Sequence, residues 1–408
     1  MSKILLLFFL TGISSVSKAQ PYALLIRGGY VIDPKTAVRD TLDIAVQKGC
    51  IVRMAKRIDP RQAARIVDAR GAFVCPGFID LHTHVFFGAD QESDYAGGTE
   101  DIIPDDFAPR EGVTTVVDAG SSGWRNFDVF KKRVIDHSAT RVLAFLNIVG
   151  AGMRGGPYEQ NTADMSDSLA AAKAGQYPAI IVGFKVAHYT GGDWRPVDAA
   201  THAGNQTQLP VMVDFGEHLP ELPIHDLFLK HLRPGDIFTH CFAQLSDREP
   251  IVDPVTKKLK PFVFEARTKG ILFDVGYGEI SFAFSQAIPA LHSGFPPNSI
   301  SSDNHRSNIR VTLPDIMSRF LALGLDPATV IGMVTWKPAQ EIHRPELGHL
   351  SEGAVADIVI LRMQHGRFTF SDHAGRRIEA AQRFECMMTI KGGKVEYDRF
   401  IPKFTAHS

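Results

Sequence analysis

The residues best placed by type and spacing to do chemistry are His82 and His84, in the stretch Val74-Cys-Pro-Gly-Phe-Ile-Asp-Leu-His-Thr-His84. An apolar strand runs into two imidazoles at i and i+2, and side chains two apart on a strand leave the same face. Both rings can therefore reach one cation lying over the mouth of a parallel sheet or barrel. Neutral imidazole is the commonest metal ligand, so the chemistry on offer is metal-assisted. Taken alone, His-x-His also fits a strand with two surface histidines. The later polar residues decide between the two.

The elements that must carry such a site are legible as short apolar runs. They lie at 114–118, 141–147, 180–185, 210–214, 236–240, 271–274 and 300–303, separated by helix-length segments. With the run before His82 this pattern predicts an α/β fold, a (β/α)8 TIM-like barrel over 76–345, with a doubly wound open sheet as the alternative. His82, Lys185, Asp214, His240 and Asp303 each stand at or just beyond the end of a run. In a barrel that is the catalytic face. Singly, Lys185 also fits a surface lysine at a strand end, and Asp303, between Ser301-Ser302 and Asn304, a helix cap or turn.

Both chain ends read as β structure. Runs at 23–27, 29–33, 42–46, 50–54 and 72–74 are broken by turn signals, and 357–362 and 386–391 supply matching pieces, with Gly392-Gly393 as a turn. A small β-sandwich domain built from 20–75 together with 346–408 is expected beside the barrel.

Hydrophobic residues at 44% and charged residues at 22% are those of a globular chain, which excludes disorder and fibrous repeats. A formal net charge of −1 leaves no basic excess to neutralise phosphates, so the expected partner is a small-molecule substrate and not nucleic acid. Residues 1–19 carry one early Lys, a short apolar core and small residues ending at Ala19, the pattern of a signal peptide; an exported, periplasmic or secreted protein is expected. The other reading is a buried first strand or uncleaved anchor. No later segment is apolar enough to span a bilayer. Cys50, Cys75, Cys241 and Cys386 are dispersed among apolar sequence and read as small buried hydrophobes, with one disulfide left open. A homo-oligomer is open too.

On Pro76-Gly-Phe-Ile-Asp-Leu-His82-Thr-His84, Gly183-Phe-Lys185, Thr239-His240-Cys-Phe, Ser301-Ser-Asp303 and the closing Gly348-His-Leu-Ser-Glu-Gly353-Ala-Val-Ala-Asp357, the chain resembles the amidohydrolase superfamily. Arg154-Gly-Gly-Pro157, Arg233-Pro-Gly-Asp236, Gly278-Glu-Ile-Ser-Phe282 and Ser301-Ser-Asp-Asn-His305 are similar to its amidohydrolase/deacetylase branch, whose members are often labelled dihydroorotase or adenine deaminase.

The resemblance implies one or two divalent metal ions, with zinc expected. His82 and His84 would hold one ion. Asp303 would complete its shell and act as the catalytic base. Lys185 would carry a carbamate, whose two oxygens can bridge two metals where an ammonium cannot bind one. His240 would belong to the second ion, and a metal-bridging hydroxide would attack the scissile carbonyl. One position departs from the family: the fifth run ends in Asp214 where relatives usually have His. Asp214 replaces the imidazole, or His218 in the following loop folds back, or the second ion is weak. Carboxylate oxygen and imidazole nitrogen bind zinc at similar distances, so the exchange is permissible.

Around the site, Arg154, His188, Tyr189, Gly278, Ser281 and His305 are the expected substrate contacts, with Arg154 either gripping a substrate carboxylate or pairing with Glu159. The implied activity is hydrolysis of amide or ester bonds in small acylated acids, of the N-acyl amino acid or acetylated 2-hydroxy acid type. A cyclic amide hydrolase or deaminase is the competing enzyme reading, and a secreted non-catalytic binding protein on the same fold is the third.

Overall fold

The computed structural model describes residues 20–214, 222–246, 248–278 and 280–400. Residues 1–19 and His218 lie outside them.

Parallel strands Phe78–Thr83, Val113–Gly123, Arg141–Asn147, Ile181–Ala187, Val211–Asp214, Ile237–Phe238 and Leu272–Phe273 pair in chain order into one seven-stranded sheet. The ring closes through the segment after them. Ser299 bridges Asp274 on one side and Asn304 bridges Thr83 on the other, both parallel. The eighth run of the sequence thus takes its expected place as isolated bridges, because Ser302 and Asp303 turn their polar groups into the site. The sixth and seventh strands are shorter than their apolar runs for the same reason, the chain leaving strand geometry at Thr239 and Asp274.

Residues two apart, Ile79 and Leu81, Val117 and Ala119, Leu143 and Phe145, meet Val182, Met212 and Ile237 in a cluster inside the barrel. This layer is the floor on which the polar strand ends stand. A larger cluster, including Phe130, Phe184, Val213, Phe238 and Phe320, fills the space between strands and helices. The helices carry local stop and start signals: Thr312 Oγ1 accepts from Asp315 N–H at the start of Leu313–Ala322, and Gly270, at φ 100°, ends Pro261–Lys269.

Chain-end strands Tyr22–Asp33, Val38–Gln47, Cys50–Ala55, Ala63–Asp68, Phe73–Pro76, Ile358–Ser371, Arg377–Lys391 and Lys394–Asp398 form a separate eight-stranded sheet. Its core joins Leu24, Ile44, Val46 and Val74 to Ile358 and Ile360. The two runs expected at 23–27 and 29–33 are one strand, bulged where Gly28 sits at φ 66°. Ala63–Asp68 is a strand the sequence reading passed over: its Arg65 and Asp68 are exposed and break the apolar run. The hairpin Ile358–Ser371 with Arg377–Lys391 is far longer than expected, since its outer half is largely polar yet stays paired on both sides of a bulge between His365 and Phe368. All described cysteines are free, and Cys75, Cys241 and Cys386 are buried. Among the described residues no helix is long and apolar enough to cross a membrane.

Candidate metal centre

Strand Phe78–Thr83 is buried throughout and delivers His82 and His84 to the barrel mouth. Each ring has its Nδ1 spoken for. His82 Nδ1 donates to Thr239 Oγ1 at 3.0 Å, and that hydroxyl donates on to Asp274 Oδ2 at 2.7 Å. His84 Nδ1 donates to Ser121 Oγ at 3.1 Å, and Ser121 donates to Asp101 Oδ1 at 3.0 Å. These relays fix the tautomers and leave both Nε2 lone pairs facing the cavity. Burial is the main force that holds His82 well below its ordinary pKa and brings His84 down to about 4, so both rings are neutral.

Opposite them stands Asp303, with Oδ1 at 3.2 Å from His84 Nε2 and 3.5 Å from His82 Nε2. Burial opposes its ionisation, but His82, His305 and His84 together hold the carboxyl well below the usual range. Lys185 is wholly buried at the end of Ile181–Ala187, its Nζ 3.2 Å from His82 Nε2 and 3.8 Å from Met212 Sδ. Gly120 makes the room: at φ 92°, a Cβ there would lie 2.6 Å from Lys185 Cβ and Cγ. Burial lowers the Lys185 pKa against the pull of Asp214 and Asp303.

The strand register puts Asp214 on the same face as Met212, inside the mouth. Its Oδ2 is 3.1 Å from His240 Nε2, and its Oδ1 accepts from Arg248 Nη1 at 3.4 Å. His240 Nδ1 donates to Gly276 O at 2.6 Å, so its Nε2 also points inward. Burial disfavours the Asp214 charge, yet His240, Lys185 and Arg248 hold its pKa well below the ordinary value. His188 Nε2 lies 3.7 Å from Asp214 Oδ2, while Nδ1 meets the buried Glu159 Oε2 at 3.0 Å. Burial works against charge on His188, but Glu159, with Asp214 behind it, raises its pKa. His188, His240 and Asp303 all sit at φ between 51° and 54°, where a residue with a Cβ pays on the order of 1 kcal/mol or more. Three such residues at one mouth mark a site whose geometry the fold imposes.

The cleft over these groups holds about 230 Å³ and is lined by Tyr95, His188, Asp214, His240, Leu245, Arg248, Ile280, Ser281, Asp303 and His305. Of the expected substrate contacts, His188, Ser281 and His305 are thus in the lining. Gly278 passes so close that a Cβ would sit 2.7 Å from Asp303 Oδ2. Arg154 is elsewhere. It pairs with Asp90 at 3.3 Å and Glu92 at 3.8 Å, not with Glu159, and lies over the Tyr158 ring. Tyr189 is buried in the main core and donates to Asp193.

The donor set fits a divalent cation. Donor atoms of His82, His240 and Asp303 lie within 4.8 Å of one another. His84 Nε2 against Asp303 Oδ1 brings lone pair against lone pair, a pairing that needs a cation or proton between. Neutral His82 and His84 beside ionised Asp303 are the protonation states a metal requires.

Comparison with known proteins agrees. No family model matches the chain. A curated protein of Brucella anthropi named deacetylase is 32% identical over 375 residues, 89% of this chain and 90% of its own length. This chain belongs to the amidohydrolase superfamily. Among solved structures, one of an adenine deaminase superposes with a TM-score of 0.83 at 28% identity, covering 92% of this chain and all of the other. A dihydroorotase structure gives a TM-score of 0.80 at 27% identity over 91% of this chain and 98% of the other. The protein is therefore a metal-dependent amidohydrolase, a hydrolase acting on C–N bonds.

Several residues of this amidohydrolase site escaped the sequence reading. Asp80 holds the closing segment, accepting from Ser302 N–H at 2.9 Å and from the Ser302 hydroxyl, and burial pushes it up to about 7. Asp274 gathers the hydroxyls of Thr239, Ser299 and Ser301. Arg248, buried against Asp214 and Thr239 O, comes from a loop with no periodic signal. Asp80 and Asp274 did carry one: like His82 and Asp303, both stand on apolar strand runs where a carboxylate has no packing reason to be.

Proposed function

We propose that this enzyme removes the acyl group from small acylated acids, N-acyl amino acids or acetylated 2-hydroxy acids, by cutting an amide or ester bond. One or two divalent ions, zinc first among them, would be held by His82, His84, Lys185 as its carbamate, Asp214, His240 and Asp303. The observation that carries the reading is a cleft of only about 230 Å³ lined by Asp214, His240 and Asp303, with His82 and His84 against Asp303 and Lys185 against His82. The near full-length likeness to a protein named deacetylase supports the acyl specificity.

When bound, the metal would activate a water molecule and polarise the scissile carbonyl. Asp303, ionised and facing the two imidazoles, takes the proton from the attacking water and passes it to the leaving group. The Thr239 and Ser121 relays keep His82 and His84 from turning. Lowered basicity of the buried Lys185 favours the neutral amine, the form that combines with carbon dioxide. The substrate carboxylate is assigned to His188, held charged by Glu159 at the cleft mouth, with His305 across from it; Arg154 is engaged with Asp90. We also read residues 1–19 as a cleaved export signal, which N-terminal sequencing of the mature protein checks.

Turnover by the metal-loaded protein of N-acyl D- and L-amino acids, acetylated 2-hydroxy acids and cyclic ureides tests the reading. Hydrolysis of acyl acids supports it. Turnover confined to cyclic ureides would transfer the enzyme to the dihydroorotase-like alternative, which the dihydroorotase structure keeps in view.

A further inference from the structure

The hairpin of Ile358–Ser371 and Arg377–Lys391 leaves the chain-end sheet and carries its turn to the barrel, where three contacts land on residues 277–284. Tyr277 hydroxyl donates to Ser371 O at 3.3 Å. Phe284 N–H donates to Asp372 Oδ2 at 2.8 Å, and His373 Nδ1 donates to Phe282 O at 2.9 Å. Asp372 is itself buried and fixed by Arg376 N–H on its other oxygen. Tyr277 stacks on Phe282 with ring centroids 5.2 Å apart, and the Arg319 guanidinium covers both Tyr277 and Phe370 of the hairpin. Between these pins, a Cβ on Gly278 would lie 2.7 Å from Asp303 Oδ2, and Ile280 and Ser281 line the cleft. Ile280 is a large apolar side chain left 52% exposed at the rim of the cleft, where Leu245 is the other aliphatic side chain of the lining.

We infer that the hairpin tip, through Asp372 and His373, positions residues 280–284 as a wall of the cleft, and that Ile280 on this wall selects the apolar part of the substrate's acyl chain. The inference rests on the cleft being the acyl-acid site proposed above. Asp372 and His373 touch no reacting atom and are positioning residues. A wall held by hydrogen bonds that are the same before and during reaction contributes to binding rather than to the chemical step, so its loss is read in KM.

The test uses the full, metal-loaded chain with N-acetyl, N-butyryl and N-hexanoyl derivatives of one amino acid. His373→Ala, at an exposed position, removes one pin without threatening the fold; Asp372→Ala removes another. KM is expected to rise about fivefold to tenfold, the cost of one net hydrogen bond, and the ranking of the three acyl chains to change. kcat on the best substrate and metal content should stay within about twofold, and His373→Asn, which keeps a donor near the Nδ1 position, should recover the wild-type KM. Unchanged KM and ranking in folded His373→Ala overturns the inference, as does a parallel fall of kcat and metal content. If the wild type turns over none of the three, the proposed function fails separately, and the same KM criterion applied to a cyclic ureide judges the wall.

Discussion

Asp214 Oδ2 stands 3.1 Å from His240 Nε2. Nδ1 of that ring is committed to Gly276 O, and Arg248 occupies the other carboxylate oxygen. Asp214 is thus held between His240 and Arg248, with His188 3.7 Å away.

Asp214→Ala is expected to lower occupancy of the second metal position and to reduce kcat/KM at least about a hundredfold. The oxygen-richer shell should let Mn²⁺ compete with Zn²⁺ there. His218→Ala should alter substrate affinity alone. Metal analysis of both variants checks this; loss of metal in His218→Ala but not in Asp214→Ala would make the loop histidine the ligand.

Lys185→Ala should lose activity by about a thousandfold and regain part of it when short carboxylic acids are supplied with the metal, because a carboxylate can fill the place of the carbamate. Lys185→Arg, which keeps a charge but cannot carry a carbamate, should not be rescued. Kinetics with and without added acetate or propionate decide the matter.

His82→Ala and Asp303→Asn are expected to lower turnover by about a thousandfold or more while the folded protein persists, since both stand above the packed layer rather than within it. Circular dichroism and thermal melting measured beside activity separate the two effects. Most of the activity surviving in either variant would remove that residue from the site.

Glu111 offers a pH test away from the metal. Burial pushes its carboxyl up to about 8 from 4.5, against one hydrogen bond from Leu313 N–H. A folded-state pKa above the unfolded one gives stability that is complete below 4.5 and is lost as pH rises through about 8. Glu111→Gln cannot ionise, so its melting temperature relative to wild type should climb by roughly 1–3 °C between about pH 5 and about pH 9. A constant difference across that range would mean Glu111 does not titrate as its burial dictates.

The barrel and the polar strand ends were legible in the sequence because burial leaves alternation and apolar runs that a carboxylate, lysine or histidine visibly interrupts. Asp214 was placed at its strand end by that logic, and the structure keeps it there. Arg248, Gly120 and Tyr95 were not legible, because they reach the site from loops or by yielding space, and neither leaves a period in the chain. Arg154 looked well placed on its loop, but the charges of Asp90 and Glu92, distant in sequence, hold it away from the cleft lining. The outer half of the long hairpin was missed because polar residues paired across a ladder resemble a loop until the partner strand is known.

The seam of the barrel has a kinetic meaning. Asp80 and Ser302, whose hydrogen bonds fasten it, are 222 residues apart in the chain. Joining His82 and Asp303 across the same seam would make a bound cation a staple over a long loop, so metal loading should slow unfolding and hydrogen exchange first at Ser301 to Asn304. Until that last segment docks, His82 and His84 lack Asp303, the carboxylate that faces them across the seam. Release of the ion would then loosen the seam that the Asp80–Ser302 hydrogen bonds fasten.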